Sequence, residues 1–277
     1  MKYYITGATG WLGINFLKFI FGKSREQWKL DVEKIILLIK NSDEKNIINN
    51  ISKDVITREG DLSDIESLES FLVDGESSTL IHIAGIIHPK FTSEFKSINT
   101  EGTKKLLNIC NKFNFKKVVL ISSNSPCGCN KNNKVFDENS SYNPYLNYGL
   151  SKMNMEIYAN KFHKDTGLDL SIIRAPWFYG PNQPERQKLF FEMIRNGKFP
   201  IVGDGNNLRS MVFVDNLIQG ICLVIKETHS IGETYWIADE NPYTMNQIVD
   251  TIQSIFKNEF GIEASKKQIK LLESGTK

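Results

Sequence analysis

Cysteine is scarce in this chain of 277 residues, which contains Cys110, Cys127, Cys129 and Cys222. So few thiols predict no disulfide framework. An excess of charge of either sign is also lacking, because 34 lysines and arginines nearly balance 32 aspartates and glutamates, for a formal net charge of +2. A balance of this kind argues against nucleic acid or an anionic membrane as a partner.

Long apolar runs are lacking as well. The chain opens with "MKYYITGATG", which we interpret as entering a strand at once, without the pattern of a signal peptide. The apolar stretch "LKFIFG" is too short to span a bilayer and includes Lys18. We therefore expect a cytoplasmic protein.

What the sequence does contain is an alternation of short β-branched runs with longer amphipathic stretches. Runs such as "KIILLIK" and "KKVVLISS" are apolar almost throughout, a pattern typical of parallel strands that helices cover on both faces. The pattern predicts an α/β fold, with a Rossmann-type doubly wound parallel sheet and a smaller C-terminal substrate-binding lobe. We place the first domain at 1–175, completed by a strand near 233–239, and the lobe mainly at 176–277, where Gly, Pro and Asn become frequent.

The stretch "TGATGWLG" follows the first predicted strand and opens a predicted helix. Glycines in this context let the backbone approach a pyrophosphate, and the helix N-terminus supplies unpaired N–H groups and a favourable dipole. We interpret the stretch as the loop of a dinucleotide site, against the alternative of an ordinary strand-to-helix turn. The residues assigned to it are Gly7, Thr9, Gly10, Trp11, Leu12 and Gly13. The first domain is thus predicted to bind NAD(P).

The strand "KIILLIK" delivers Lys40, Asn41 and Ser42 to the same edge of the predicted sheet. Two acidic residues at about the count expected for an NAD site, Asp31 and Glu33, precede that strand and so lie at its wrong end. A cation with small polar neighbours suits the 2′-phosphate of NADP better than the free ribose of NAD. The pattern therefore favours NADP, while the alternative makes Lys40 a solvated surface residue.

Tyr148 and Lys152 are four positions apart in the predicted helix around "YGLSK", so both side chains are expected on one helix face. A free tyrosine is a poor base at neutral pH, because its pKa is about 10. A lysine charge held nearby would favour the phenolate and lower that pKa. The pair is a candidate general acid/base, or else two ordinary side chains on a solvated helix.

Together these motifs resemble the extended, NAD-dependent epimerase/dehydratase branch of the short-chain dehydrogenase/reductase superfamily, over most of the chain from "TGATGWLG" to about "TMNQIV". Four further stretches carry the same resemblance: "GDLSD", "HIAG", "SINTEGTKKLL" and "VVLISSNSPCG". The resemblance implies that Asp61 meets the adenine and that Leu62 lines its pocket. It also implies that Ala84 and Gly85 lie beside the cofactor.

The resemblance further implies the catalytic group. Cys127-Gly128 stands where the family usually has Tyr-Gly, and counting back from it places the catalytic hydroxyl on Ser123, 25 residues before Tyr148. Tyr148 would act as the acid/base on a substrate hydroxyl or carbonyl, and Ser123 would hydrogen-bond the same oxygen. Lys152 would lower the pKa of Tyr148 and hold the nicotinamide ribose.

Two more expectations come from the same resemblance. Asn99 would support the catalytic lysine, which completes a predicted catalytic set of Ser123, Tyr148, Lys152 and Asn99. The family also implies a homodimer, in which helices around 100–113 and 146–163 pair across a twofold axis.

The stretches "RAPWFYGPNQ" and "GDGNNLRSMVFVDN" stand where the extended branch binds the diphosphate of a nucleotide sugar. Arg209 matches the arginine of that element and would clamp phosphate, unless it is a surface arginine that bridges a loop carboxylate. Trp177 stands where many sugar-nucleotide enzymes have asparagine, and "SSN" lacks the Thr-Asp-Glu of the 4,6-dehydratases, which disfavours dehydration. The residues assigned to the substrate are Ser123, Asn124, Trp177 and Arg209.

We therefore predict an NAD(P)-dependent oxidoreductase or epimerase that acts on a nucleoside-diphosphate sugar, as a 4-epimerase or a 4-keto reductase. One alternative is an NADP-dependent reductase of a bulky, steroid-like carbonyl or hydroxyl compound, which Trp177 and Lys40 favour and Arg209 disfavours. Another is a cofactor-binding protein that keeps the fold without turnover. No metal is expected, because Cys127 and Cys129 have no second pair nearby to complete a tetrahedral site.

Overall fold

The computed structural model describes residues 1–22, 30–130, 135–264 and 266–269. The chain divides into two compact units, the first formed by Met1–Pro176 with Val214–Ile237 and the second by Trp177–Phe213 with Ala238–Lys277. Residues 270–277, which belong to the predicted C-terminal lobe, lie outside the described residues.

Strands and helices alternate along the chain. The strands are β1 (Lys2–Thr6), β2 (Lys34–Ile39), β3 (Ile56–Glu59), β4 (Thr79–His82), β5 (Lys117–Ser123), β6 (Asp169–Ala175), β7 (Trp177–Tyr179), β8 (Pro200–Val202), β9 (Leu208–Arg209), β10 (Met211–Phe213), β11 (Thr234–Trp236), β12 (Tyr243–Thr244) and β13 (Lys267–Ile269). The α-helices are α1 (Trp11–Phe21), α2 (Ser42–Asn49), α3 (Ile65–Leu72), α4 (Thr103–Lys112), α5 (Leu146–Thr166), α6 (Glu185–Arg195), α7 (Val214–Lys226) and α8 (Met245–Phe260). A π-helix (Phe95–Gly102) precedes α4, and a 3₁₀ turn (Thr228–Ser230) follows α7.

The first unit is built on a seven-stranded sheet in the order β3-β2-β1-β4-β5-β6-β11. Each neighbouring pair is parallel, so the carboxyl ends of all seven strands lie along one edge. The strand order reverses between β1 and β4, and open sheets of this kind bind ligands beyond the carboxyl ends at such a point. The prediction of a Rossmann-type doubly wound parallel sheet is confirmed.

The apolar strands produce this sheet because both of its faces are buried. Every residue of β5 is buried, and so are all residues of β2 after Lys34. One face packs on α3, α4 and α5 through a cluster that includes Tyr4, Leu80 and Val118. Strand residues that alternate with these point to the opposite face, and α1 and α7 pack against each other.

The second unit contains three short two-stranded pairings: β7 with β10, β9 with β12, and β8 with β13. Its core is small and centres on Ile194, Ile201, Met245 and Val249, flanked by Phe190 and Phe199. Helix α8 begins with a capping box, in which Thr244 accepts from the N–H of Gln247 while the Gln247 side chain accepts from the N–H of Thr244.

A search of the described residues for a helix long and apolar enough to cross a membrane finds none.

Candidate active site

The glycine loop between β1 and α1 crosses the start of the loop that follows β4. Gly7 has a φ of +75°, and a Cβ on it would lie 2.6 Å from the backbone nitrogen of Ala84. A Cβ on Gly13 would lie 2.2 Å from the carbonyl oxygen of Gly7. Both positions exclude a side chain because backbone packs directly on backbone.

Gly10 has a different environment. A Cβ there would lie 3.3 Å from the carbonyl of Gly7, which is tight but short of a clash. Gly10 is exposed and forms the N-cap of α1, and among the described residues no side chain caps this helix. The neighbouring Thr9 and Trp11 are partly buried and Leu12 is buried. The first N–H groups of α1 are therefore arranged as an anion-binding helix terminus.

The end of β2 is held by the first turn of α2. The side chain of Asn41 accepts from the N–H of Glu44, and the Glu44 carboxylate accepts from the N–H of Lys40 at 2.7 Å. Ser42 is the first residue of the helix. The Lys40 side chain is 66% exposed, and its ammonium lies 3.9 Å from the Asp61 carboxylate. Lys40 thus projects at the carboxyl edge, whereas Asn41 is used as a helix cap.

Asp61 and Leu62 follow β3 at the same edge. The Asp61 carboxylate accepts from the N–H and the hydroxyl of Ser63, at 2.8 and 2.6 Å. Burial alone would raise the pKa of Asp61, but these hydrogen bonds and the charges of Lys40 and Lys105 outweigh it, and the pKa is lowered. Leu62 is buried and packs against the position of Gly102.

Asn99 joins the loop after β4 to helix α5. Its side chain accepts from the N–H of Ile86 at 2.8 Å and donates to the Ile86 carbonyl and to the Ser151 hydroxyl, both at 3.0 Å. The residue lies in the π-helix, a distortion that is common at functional sites. A Cβ on Gly85 would lie 3.2 Å from the Asn99 side chain and 3.3 Å from the Lys152 ammonium. Asn99 and Lys152 therefore border the same glycine, while the Asn99 hydrogen bond to α5 goes to Ser151.

Ser123, Tyr148 and Lys152 come together where β5 ends. The Ser123 hydroxyl lies 3.1 Å from the hydroxyl of Ser125 and donates to the Asn124 side chain at 3.1 Å. It also lies close enough to the Tyr148 phenol to influence the pKa of that group. The Lys152 ammonium is buried and donates to the carbonyl of Ile121, on the same strand, at 2.9 Å.

Burial raises the pKa of Tyr148 to about 12, and the interaction with Ser123 offsets only part of that rise. A lowering of this pKa by Lys152, which the family resemblance implies, stays a prediction. Burial also lowers the pKa of Lys152 to about 8, against the charge of Glu156. Desolvation is the largest cause of both shifts.

His82 is the last residue of β4, and both of its ring nitrogens have hydrogen-bond partners. Its ring nitrogens are 2.6 Å from the Thr6 hydroxyl and 2.9 Å from the Thr103 hydroxyl. Burial, followed by the charge of Lys152, lowers the pKa of His82 to about 3. His82 is therefore a neutral residue of the core.

A polar cluster that no sequence motif indicated lies beside these residues. Glu156 is fully buried and accepts from the guanidinium of Arg174 at 2.8 Å and from the phenol of Tyr142 at 3.0 Å. Ser122 also donates to its carboxylate. The available signal was the spacing, since Glu156 follows Lys152 by four residues on the same helix.

In the second unit, Trp177 and Arg209 lie together. The Arg209 guanidinium is 5.7 Å from the centre of the Trp177 ring, a cation–π distance. Phe190 packs edge-on against the same ring, with the centroids 5.1 Å apart. Arg209 is exposed, so its guanidinium is accessible to an anionic group.

The described residues contain no group of three or more His, Cys, Asp or Glu side chains that could hold a metal ion. Cys127 is buried and Cys129 is exposed.

A parallel sheet in this order, with a glycine loop at its switch point, defines a Rossmann-type nucleotide-binding protein. The profile of the NAD dependent epimerase/dehydratase family matches residues 3–238. The chain belongs to this family of enzymes.

Individual relatives are similar over most of the chain. The uncharacterized protein y4nL of Sinorhizobium fredii is 39% identical over 262 residues, which cover 93% of this chain and 73% of the relative. The N-acetyl-alpha-D-glucosaminyl-diphospho-ditrans,octacis-undecaprenol 4-epimerase of Escherichia coli O157:H7 is 29% identical over 200 residues, which cover 72% of this chain and 60% of the relative. The crystal structure of a dTDP-glucose 4,6-dehydratase from Streptomyces venezuelae with NAD bound has a TM-score of 0.81 at 23% identity, covering 99% of this chain and 85% of that one.

Proposed function

We propose that this protein is an NAD(P)-dependent enzyme that acts on a nucleoside-diphosphate sugar, as a 4-epimerase or a 4-keto reductase. The observation that carries the proposal is the convergence of the Ser123 hydroxyl, the Tyr148 phenol and the buried Lys152 ammonium at the carboxyl edge of a parallel sheet. Membership of the epimerase/dehydratase family supports it, and so does the 4-epimerase from E. coli, whose substrate is a diphosphate-linked sugar.

The residues around the glycine loop fit a dinucleotide. Gly7 and Gly13 leave no room for side chains, and the uncapped start of α1 at Gly10 presents N–H groups to a pyrophosphate. Asp61 and Leu62 would hold the adenosine end, and Ala84 and Gly85 would lie along the cofactor. A nicotinamide cofactor held by these residues would supply the hydride chemistry, taking a hydride from the sugar and returning it in an epimerase, or giving one to the ketone in a reductase.

The chain's own part in the reaction is to manage one proton. Because burial keeps the phenol protonated, Tyr148 as placed suits proton donation to a ketone oxygen. Ser123 would hydrogen-bond the same oxygen and stabilise negative charge on it. Removal of a proton from a sugar hydroxyl by Tyr148 requires the positive charge of Lys152 to offset the effect of burial.

Arg209 and Trp177 are our candidates for substrate contacts in the second unit, with the guanidinium binding the diphosphate. In the first unit, Asn124 is the candidate for a sugar hydroxyl, since its side chain already contacts Ser123. The alternative of a bulky, steroid-like substrate rests on Trp177, whose ring Arg209 and Phe190 already engage.

The preference for NADP is a proposal that rests on Lys40. The Glu44 carboxylate at the same strand end supports NAD instead, because a carboxylate suits a ribose hydroxyl. A homodimer and a cytoplasmic location stay predictions. For the homodimer, α5 exposes Leu146, Leu150 and Ile157.

The proposal is tested by assaying the protein with UDP- and dTDP-hexoses and their 4-keto forms, with NAD(H) and NADP(H) supplied in turn. Tyr148→Phe should lower kcat/KM by at least about 100-fold, because it removes the acid/base and leaves the ring. Tyr235→Phe, on β11 away from these residues, is the matched control and should retain activity. An unchanged rate in Tyr148→Phe would show that the catalytic assignment is wrong.

A further inference from the structure

Helix α5 carries a third charged or ionisable residue in line with the two already described. Tyr148, Lys152 and Glu156 follow one another at intervals of four, so they form a single stripe on one helix face. The Lys152 side chain is 3% exposed and that of Glu156 is not exposed at all. A buried lysine and a buried glutamate one helical turn apart interact far more strongly than the same pair on a surface.

The position of Glu156 is fixed from three sides. Arg174 on β6 donates to it through Nε at 3.1 Å and through Nη2 at 2.8 Å. Ser122 on β5 and Tyr142 from the segment before α5 donate to the two carboxylate oxygens. The Arg174 guanidinium in turn lies over the rings of Tyr142 and Trp236, at 5.4 and 5.3 Å. A carboxylate with this many hydrogen-bond donors is held in place on the helix face.

The groups that face Lys152 leave Glu156 as its source of negative charge. His82 on β4 is neutral, because its pKa is lowered to about 3, and Tyr148 is protonated, because its pKa is raised to about 12. Asn99 and the Ile121 carbonyl contribute dipoles only. Burial drives Lys152 toward its neutral form, and Glu156 is the charge that opposes it. Around Glu156 itself the ionisable groups are Arg174, Tyr142 and Cys127.

We infer that Glu156 is a positioning residue for Lys152: the buried Glu156 carboxylate, one helical turn further along α5, keeps the Lys152 ammonium protonated. Arg174, Ser122 and Tyr142 serve to hold that carboxylate in place. The inference rests on the proposed function in one respect, namely that a protonated Lys152 is the form that assists Tyr148 and holds the cofactor's ribose. The ionisation of Lys152 itself can be measured without any substrate.

The test is an NMR titration of the full chain labelled with ¹³C at the lysine ε-carbons. The lysine signal whose titration midpoint lies below those of ordinary lysines is assigned to Lys152 if it disappears in Lys152→Met. In Glu156→Gln the Lys152 midpoint should fall by about one unit or more, because the opposing charge is gone while burial stays. In Glu156→Asp, which keeps the charge but alters its geometry, the midpoint should stay close to that of the wild type.

Glu156→Gln leaves Arg174 buried without an anion, which threatens folding. The double variant Glu156→Gln with Arg174→Met removes both charges, and its midpoint should lie between those of Glu156→Gln and the wild type. Lys117→Met, which removes a buried cation at the other end of β5, is the control and should leave the midpoint unchanged.

A merely structural role for Glu156 predicts lower thermal stability in both Glu156 variants with the wild-type midpoint for Lys152, and that result would overturn the inference. Failure of the proposed function is a separate result: the wild type would turn over no sugar nucleotide, whatever the Lys152 midpoint.

Discussion

A buried lysine lies at each end of strand β5, namely Lys117 of the strand itself at the amino end and Lys152 of helix α5 at the carboxyl end. The ammonium groups of the two lysines have very different hydrogen-bond partners. At the amino end, the Lys117 ammonium donates to the carbonyls of Val224 and Glu227 and to the Ser230 hydroxyl. At the carboxyl end, the Lys152 ammonium donates to the Ile121 carbonyl and lies 3.8 Å from the sulfur of Met155.

An ammonium has three N–H donors. Lys117 uses all of them on oxygen atoms, and two of those oxygens belong to the last turn of α7 or the residue after it, where carbonyls lack helical partners. Lys152 has one oxygen acceptor among the described residues, and its ammonium lies beside Gly85, where a side chain is missing. A buried charge with unused donors lowers the stability of the fold, because its desolvation is not offset by hydrogen bonds. From this comparison we predict that Lys117 stabilises the fold and that Lys152 acts on a ligand.

Matched methionine variants should separate these two roles, and this is the largest effect we expect. Lys152→Met should lower the proposed activity by about 100-fold or more. Its free energy of unfolding should be unchanged or higher, because a desolvated charge is replaced by an apolar chain. Lys117→Met should retain the activity and lose about 3 kcal/mol of stability, because buried carbonyls are left without a donor.

Urea unfolding and steady-state kinetics on both variants make the measurement. If Lys152→Met proves the less stable of the two while its activity persists, the two ends of β5 do not differ in the way described.

The second prediction concerns His82, which lies at the carboxyl end of β4. Both of its ring nitrogens have hydrogen-bond partners, so in this respect it resembles Lys117 at the amino end of β5. Its pKa is about 3 in the folded protein and 6.5 when unperturbed, so the unfolded chain binds more protons between these values. Stability from neutral His82 is therefore fully present above pH 6.5 and is lost as the pH falls toward 3, by at most about 5 kcal/mol.

His82→Asn, which has no ring to titrate, should be less stable at neutral pH. It should also lose less stability than the wild type between pH 6.5 and 4. Urea unfolding midpoints of both proteins at a series of pH values measure this. Carboxylates that titrate in both proteins contribute equally to both curves, so their contribution cancels in the difference. Parallel curves for the two proteins would mean that His82 is not held neutral by the fold.

The features that the sequence predicted are those with a strong local pattern. "KVVLISS" is apolar enough to have no alternative to a buried parallel strand, and "TGATGWLG" combines glycine spacing with a strand-to-helix junction. The short strands of the second unit lack such a pattern. β9, for example, is two exposed residues, Leu208 and Arg209, whose pairing with β12 is set by tertiary contacts.

The electrostatic interactions of the site were the other feature that the sequence did not predict. The spacing of Tyr148 and Lys152 predicted their common face, but the direction of both pKa shifts depends on desolvation, which only packing determines. Likewise, Glu156 and Arg174 are 18 residues apart, on a helix and a strand, and nothing local in either segment indicates that they form an ion pair.

The smallest effect that we predict concerns Lys40, the exposed cation at the carboxyl end of β2. If it binds the 2′-phosphate of NADP, Lys40→Ala should weaken NADPH binding by about fivefold, since an exposed ion pair contributes about 1 kcal/mol at most. NADH binding should be unchanged, and so should both affinities in Lys45→Ala, which removes an exposed cation from α2. Fluorescence titration with each cofactor measures the effect. The loss should grow at low salt, where the phosphate contact is least screened, although Asp61, 3.9 Å from the Lys40 ammonium, competes with the phosphate. Equal weakening of both cofactors, or a wild type that prefers NADH, would instead assign this strand end to Glu44 and a ribose hydroxyl.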